Sequence, residues 1–346
     1  MTILLTLLAG LAVAPLTVEV VQPDGVVIIG QDHPDAQGIK YGFEGGCALK
    51  ANGEYHILTA EMWGDPYWVA MRLGHWKSRD LKTWKRHATL FESTGAGHET
   101  DNKYSIWSPM AVFNAKEDRW NLFYVCYEGK QTPEEGTHMR GKIFRAVSKT
   151  AGEAGIDGPW EDANILMRPD AESMAWEGQQ SVDSFYPYRV GDRWYSHYGG
   201  HNYTPIGPWL VGMATAPDLA GPWKRIPELS PCAFEPEFIE NPIVSRIGDQ
   251  WVAVYDSTTI EPGNKYILNP REIGYACSAD GIHWLSGQRL AIHSDSEKNW
   301  SGDLRTPLGL IPMDDGTHAL PYTGSKKGVQ YANVGLVFVR VAAQAK

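Results

Sequence analysis

The chain has 346 residues, a mass of 38.4 kDa, and 31 basic against 41 acidic side chains, for a net charge of −10 and a pI near 5.6. Hydrophobic residues make up 43% and charged residues 21%, which excludes a disordered or coiled-coil chain. No basic block stands out, so nucleic acid is not an expected partner, and the acidic surface disfavours polyanionic substrates.

Residues 2–14 are apolar and end in an Ala-x-Ala at Ala12 and Ala14. The stretch is shorter than the roughly 20 residues a membrane helix needs. It fits the core and cleavage end of a secretory signal and predicts export, with residues 15–346 as one mature domain. Two features oppose that reading: no Lys or Arg precedes the apolar run, and Pro15 would follow the cut. A plain apolar N-terminal segment is the other reading. No other stretch is long and apolar enough to span a bilayer, so no membrane partner is expected. Cys47, Cys126, Cys232 and Cys277 are widely spaced, without zinc-ligand or redox spacing, and read as buried thiols. A disulfide stays open if the chain is exported.

With 36 glycines, 22 prolines and 14 tryptophans, the chain is rich in turns and aromatics, which points to many short strands. Two segment types alternate along it. The first is Glu44-Gly-Gly-Cys-Ala-Leu, Gly53, then Tyr55-His-Ile-Leu. It returns as Asp183-Ser-Phe-Tyr-Pro-Tyr, Gly191, Trp194, and as Glu240-Asn-Pro-Ile-Val, Gly248, Trp251. The acid-to-aromatic spacing is 11 residues in all three. Ser108 to Trp120 is a fourth copy without the acid, and Thr306 to His318 a looser fifth. The second type is Ser78-Arg-Asp80-Leu-Lys-Thr-Trp84, repeated at Ala216–Trp223 and Ser278–Trp284, with a degenerate copy ending at Gly158-Pro159-Trp160. In each, an Asp is expected to cap turn N–H groups over a packed Trp.

The repeat predicts five units of three or four strands. Radial repetition of such units is an all-β fold, a five-bladed β-propeller. The fifth unit lacks the Asp…Trp segment and must borrow a strand, which predicts closure by Val334–Val339 together with a strand from Val18–Ile29. The first strand of each blade lines the central channel, so Glu44, Asp183 and Glu240 are predicted to meet at its mouth. Carboxylates crowded in one pocket raise one another's pKa, which lets one stay protonated while another is ionised.

This pattern resembles the five-bladed propeller glycoside hydrolases, the superfamily of families 43, 32, 68, 117 and 130, and family 43 most closely. The resemblance implies a glycosidase acting on plant or algal polysaccharide fragments, inverting and exo-acting. It implies Glu44 as general base, Asp183 as the residue that tunes pKa and orientation, and Glu240 as general acid. Inversion needs carboxyl groups about 6.5–9.5 Å apart. The family's first acid is an Asp, usually followed by Pro, whereas this chain has Glu44-Gly45. Asp32 and Asp35 are therefore alternative bases, and Glu235 and Glu237 are rivals to Glu240. A carbohydrate-binding propeller without catalysis is the second reading. The motifs of the family 32 sucrose enzymes are absent.

Around the mouth, Trp107 stands at the acid position of blade two and could stack on a sugar ring or fill core. Trp63, in an aromatic loop, and His201 are further substrate-binding candidates. Arg305 would temper the acidic charge and bind a hydroxyl. No cofactor is called for. Some relatives hold calcium in the channel, but no ligand spacing here demands it.

Overall fold

In the computed structural model the described residues are 14–96, 102–129, 138–177, 181–201, 209–235, 239–258, 272–292, 300–326 and 328–343, with the side chains of 303–305 outside the description. Two N-terminal strands, β1 (Leu16–Val20) and β2 (Val26–Ile29), precede the first blade of β3 (Gly42–Ala51), β4 (Glu54–Met62), β5 (Met71–Ser78) and β6 (Trp84–Glu92). Blade two is β7 (Ser105–Asn114), β8 (Arg119–Glu128), β9 (Met139–Ser148) and β10 (Trp160–Met167). Blade three is β11 (Val182–Val190), β12 (Arg193–Gly200), β13 (Leu210–Ala216) and β14 (Lys224–Arg225). Blade four is β15 (Ile239–Ile247), β16 (Gln250–Ser257), β17 (Glu272–Ser278) and β18 (Gln288–Arg289). The last blade holds β19 (Asp303–Pro307), the short β20 (Ile311–Pro312), β21 (His318–Ser325) and β22 (Ala332–Ala343).

Within each of the first four blades consecutive strands pair antiparallel, and in the last blade β19 and β20 both pair antiparallel with β21. The hairpins follow from their turn residues. Asn52 and Gly53 both have positive φ, which matches the strand twist in a two-residue loop joining β3 and β4. Gly191 and Gly248 place the left-handed residue first in the equivalent loops of blades three and four. The innermost strands β3, β7, β11, β15 and β19 touch in a closed ring, so the blades number five. Closure is as the sequence predicts: β22 pairs with β21 on one side and with both β1 and β2 on the other. The chain's two ends thereby share one blade.

The Ser-x-Asp…Trp segments are the tight turns expected. Asp80 Oδ1 accepts the N–H groups of Lys82 at 2.9 Å and Thr83 at 2.7 Å, and Asp280 does the same for Ile282 and His283. These donors hold the Asp80 carboxyl down at about 2. Trp84 Nε1 donates to Leu81 O at 3.0 Å, and its ring is buried, whereas Trp160, Trp223 and Trp284 are only half-buried. The apolar core runs between neighbouring blades. One cluster joins blades one to three, and others join blades three to five and close blade five onto blade one. All four cysteines are buried and free. Among the described residues no helix is long and apolar enough to cross a membrane.

Two glycines of blade one separate backbone strain from steric clash. Gly53 has φ +75° and open space where a Cβ would stand, whereas a Cβ on Gly46 (φ +126°) would lie 1.9 Å from Leu58 O. Gly53→Ala should cost about 1 kcal/mol, and Gly46→Ala about 3 kcal/mol or more, because β3 must part from β4. Urea denaturation of the two variants checks this, and equal losses would refute the clash.

Candidate active site

Each of the first four inner strands carries a β-bulge at the same level. The register breaks between Glu44 and Gly46, Trp107 and Met110, Asp183 and Phe185, and Glu240 and Ile243. The residue after each predicted site residue is left-handed: Gly45 (φ 62°), Ser108 (51°), Ser184 (44°) and Asn241 (52°). A bulge re-aims a side chain out of the regular alternation. Here it turns one side chain per blade toward the axis. Trp107 is thus the structural counterpart of the three acids, as the sequence register implies.

Glu44, Asp183, Glu240 and Trp107 line one cavity together with Trp68, Ser108, Tyr127, His138, Trp209 and Asn241. The cavity measures about 40 Å³, space for a water beside three carboxylates. Glu44 and Asp183 are buried, while Glu240 is half-exposed. Desolvation pushes Asp183 up to about 6, assisted by the charge of Glu44 and opposed by hydrogen bonds from Tyr127 and from Ser184 N–H at 2.7 Å.

Beneath the acids runs a buried polar network. Asn241 Oδ1 accepts from Tyr186 OH at 2.7 Å and Ser184 Oγ at 3.0 Å, and its Nδ2 donates to Asp256 Oδ2 at 3.3 Å. Two hydroxyl donors on one side and a carboxylate on the other fix the orientation of this amide. Thr306 Oγ1 lies 3.0 Å from Asp256 Oδ2 and 3.3 Å from Glu44 Oε1. With one proton to give, it tethers one of the two acids at a time. Asp256 is a fourth, fully buried carboxylate at the channel, paired across the sheet with Glu240.

The aromatic wall is larger than the sequence suggests. Trp68 and Trp107 lie 5.2 Å apart at 38°, and His138 packs edge-on against both. Trp107 Nε1 donates to Ser105 Oγ, so the indole is held rigidly. Burial lowers His138 to about 4, which keeps it neutral.

The other candidates fall elsewhere. Trp63 is 37% exposed just past the end of β4 and does not line the cavity. His201 is buried against Trp209, with ring centroids 3.6 Å apart, and does not itself line the cavity. Arg305 lies on β19, and its side chain is outside the described residues. Asp35 accepts Arg86 N–H at 3.2 Å on the exposed side of blade one. Neither it nor Asp32 lines the cavity. Glu235 accepts from Tyr255 OH at 3.2 Å, away from the cavity, and Glu237 lies outside the described residues.

Sequence reasoning missed Asp256, Asn241, Tyr127, Thr306, His138 and Trp209, and in the aromatic loop flagged at Trp63 it is Trp68 that lines the cavity. A signal existed for two. Asn241 is one of the few residues other than glycine that tolerates the left-handed region, and Asp256 ends the apolar run Trp251–Tyr255.

Asp183 has a folded pKa raised from 3.8 to about 6, so the native state binds the extra proton between those values. Its ionisation weighs on the fold fully above pH 6 and not at all below pH 3.8. Asp183→Asn should therefore be more stable than wild type by about 2–3 kcal/mol at pH 8, with the gap closing by about pH 4. Chemical denaturation across that range checks it. A variant no more stable than wild type at the alkaline end would refute it.

No family model matches the chain. Two uncharacterized proteins of Mycobacterium tuberculosis, from strains CDC 1551 / Oshkosh and H37Rv, are 25% identical to it over 183 residues. That match covers 52% of this chain and 58% of each of theirs, so the chain aligns with little more than half of the curated relatives' length. Likeness to solved structures extends over nearly the whole chain. BT0996, in its RGII complex, superposes with a TM-score of 0.69 at 16% identity, over 93% of this chain and 92% of that protein. Zg3597, a family 117 glycoside hydrolase of the marine bacterium Zobellia galactanivorans, gives 0.60 at 13% identity over 94% and 90%. A thermostable family-43 glycoside hydrolase gives 0.55 at 14% identity over 95% and 98%. The fold of this chain is that of the propeller glycoside hydrolases.

Proposed function

We propose that this chain is a glycoside hydrolase that releases terminal sugars from plant or algal polysaccharide fragments. The observation that carries the reading is the convergence of Glu44, Asp183 and Glu240, from three separate blades, on one cavity walled by Trp68 and Trp107. The fold shared with glycoside hydrolases of families 43 and 117 supports it. A small cavity at the channel axis suits a chain end better than a chain interior.

In this reading Glu240, the acid nearest solvent, donates its proton to the glycosidic oxygen as the bond to the anomeric carbon breaks. Glu44 accepts a proton from the water that attacks that carbon from the opposite face, so the anomeric configuration inverts. Asp183 does not touch the leaving group. Its buried charge, present above about pH 6, favours a proton on its neighbours. Tyr127 and Ser184 N–H hold it in place. The Trp68–Trp107 wall offers an apolar face to a sugar ring.

The test is a hydrolysis screen of wild type, Glu240→Gln and Glu44→Gln against plant and algal oligosaccharides, read by released monosaccharide and by the anomer first formed. Each variant should lose about 10²–10⁴-fold in kcat. Glu240→Gln should lose far less on aryl glycosides whose leaving group needs no proton. Sugar binding without release by wild type would make the chain a carbohydrate-binding propeller. Full activity in Glu240→Gln would move the acid to Glu235 or Glu237.

A further inference from the structure

A second cluster of ionisable groups lies in blade one, away from the carboxylate cavity. His56 on β4 and His75 on β5 are both fully buried. Asp157 ends a short 3-10 helix, Glu153–Asp157, that follows β9 of blade two. One ligand atom from each of the three lies within 4.8 Å of the other two.

The local hydrogen bonds already prepare these atoms. His56 Nε2 lies 3.1 Å from Ala51 O, and a carbonyl can only accept, so that nitrogen carries the proton. His56 Nδ1 therefore accepts from His75 Nε2–H at 2.9 Å, and a metal bound between the two nitrogens takes the place of that proton, leaving the proton of His75 on Nδ1. An imidazole whose other N–H is anchored on a backbone carbonyl is the usual form of a metal-ligating histidine. The His75 ring sits 5.1 Å from the His56 ring and 5.1 Å from the His87 ring, and its Nδ1 is buried without a hydrogen-bond partner. Lys77 Nζ holds Asp157 Oδ2 at 3.0 Å. That leaves Oδ1 buried, with no hydrogen bond, 3.8 Å from His87 Nε2. A buried carboxylate oxygen without a hydrogen bond beside these imidazoles is costly unless a cation serves it.

We propose that His56, His75 and Asp157, with His87 on the solvent side, bind a divalent transition-metal ion of the zinc class that clamps blade one to blade two. Imidazole nitrogen with one carboxylate oxygen suits zinc, cobalt or nickel, whereas calcium and magnesium take oxygen ligands. A tetrahedral zinc with bonds of about 2.0–2.1 Å spaces its donors about 3.3 Å apart. The two histidines need to part by only a few tenths of an ångström, and Asp157 to swing inward on its exposed helix end. His87 is 37% exposed and gives the ion a way in.

The experiment uses the full chain, stripped with a chelator and then titrated with Zn²⁺ and, separately, Co²⁺. Wild type should retain one zinc per chain through gel filtration, melt at a higher temperature with zinc, and show the visible absorption of tetrahedral cobalt. His75→Ala and Asp157→Asn should each weaken zinc affinity about 100-fold and lose the cobalt bands. Asp157→Asn removes only a charge at a partly exposed position, so it decides the matter if His75→Ala fails to fold. Absence of stoichiometric zinc and of cobalt absorption in wild type would overturn the proposal. So would unchanged zinc affinity in Asp157→Asn, which would place the metal on other histidines.

Discussion

The site depends on one backbone constraint, a left-handed residue at the bulge of each of the first four inner strands. A regular strand alternates its side chains between the two faces of its own blade, and neither face looks down the channel. The extra residue of a bulge breaks that alternation and frees one side chain to point at the axis. Only residues that tolerate positive φ can follow it, and the chain supplies Gly45, Ser108, Ser184 and Asn241. Two of these also make the bonds that tie blade three to blade four, since Ser184 Oγ donates to Asn241 Oδ1. The conformation that aims the acids therefore also locks the ring beneath them.

Charge is what this arrangement works against. Glu44, Asp183 and Asp256 are all buried near the axis, and among the described residues Thr306, Asn241, Tyr127 and a backbone N–H donate hydrogen bonds to them. Neutral donors orient a carboxylate without cancelling its charge. The raised pKa of Asp183 comes first from desolvation, and the charge of Glu44 adds to it. Blade one follows the opposite logic. Its buried Glu61 is paired with Arg72 and Arg86 and takes the Trp76 N–H at 2.8 Å, which removes its charge from play.

The ring also needs closing. A propeller blade at the end of the chain has an open edge unless another strand covers it. Here β22 is covered by β1 and β2, so the first strands of the chain seal the last blade. The five inner strands can then stand around one axis without a gap in the ring.

The sequence by itself determined the number of blades, their order and the level at which the acids sit. Those follow from short-range chemistry: Asn52-Gly53, Gly191 and Gly248 make two-residue hairpins, and the Asp…Trp turns recur because an aspartate caps the N–H groups just ahead of it in the chain. The 11-residue spacing singled out Glu44, Asp183 and Glu240 because hairpin geometry fixes register locally. Only the tertiary structure decided what surrounds them. Tyr127, Thr306 and Trp209 belong to a second strand, to the fifth blade and to a loop, and they meet the acids through ring closure rather than through any spacing along the chain, while Asp256 faces Glu240 across the hairpin of its own blade. The same holds for His56, His75 and Asp157, which lie on two blades. Trp63 and His201 carried the right chemistry at plausible places, yet neither lines the cavity. Whether an aromatic beside the channel reaches into it is set by the packing of neighbouring blades, and no local pattern records that.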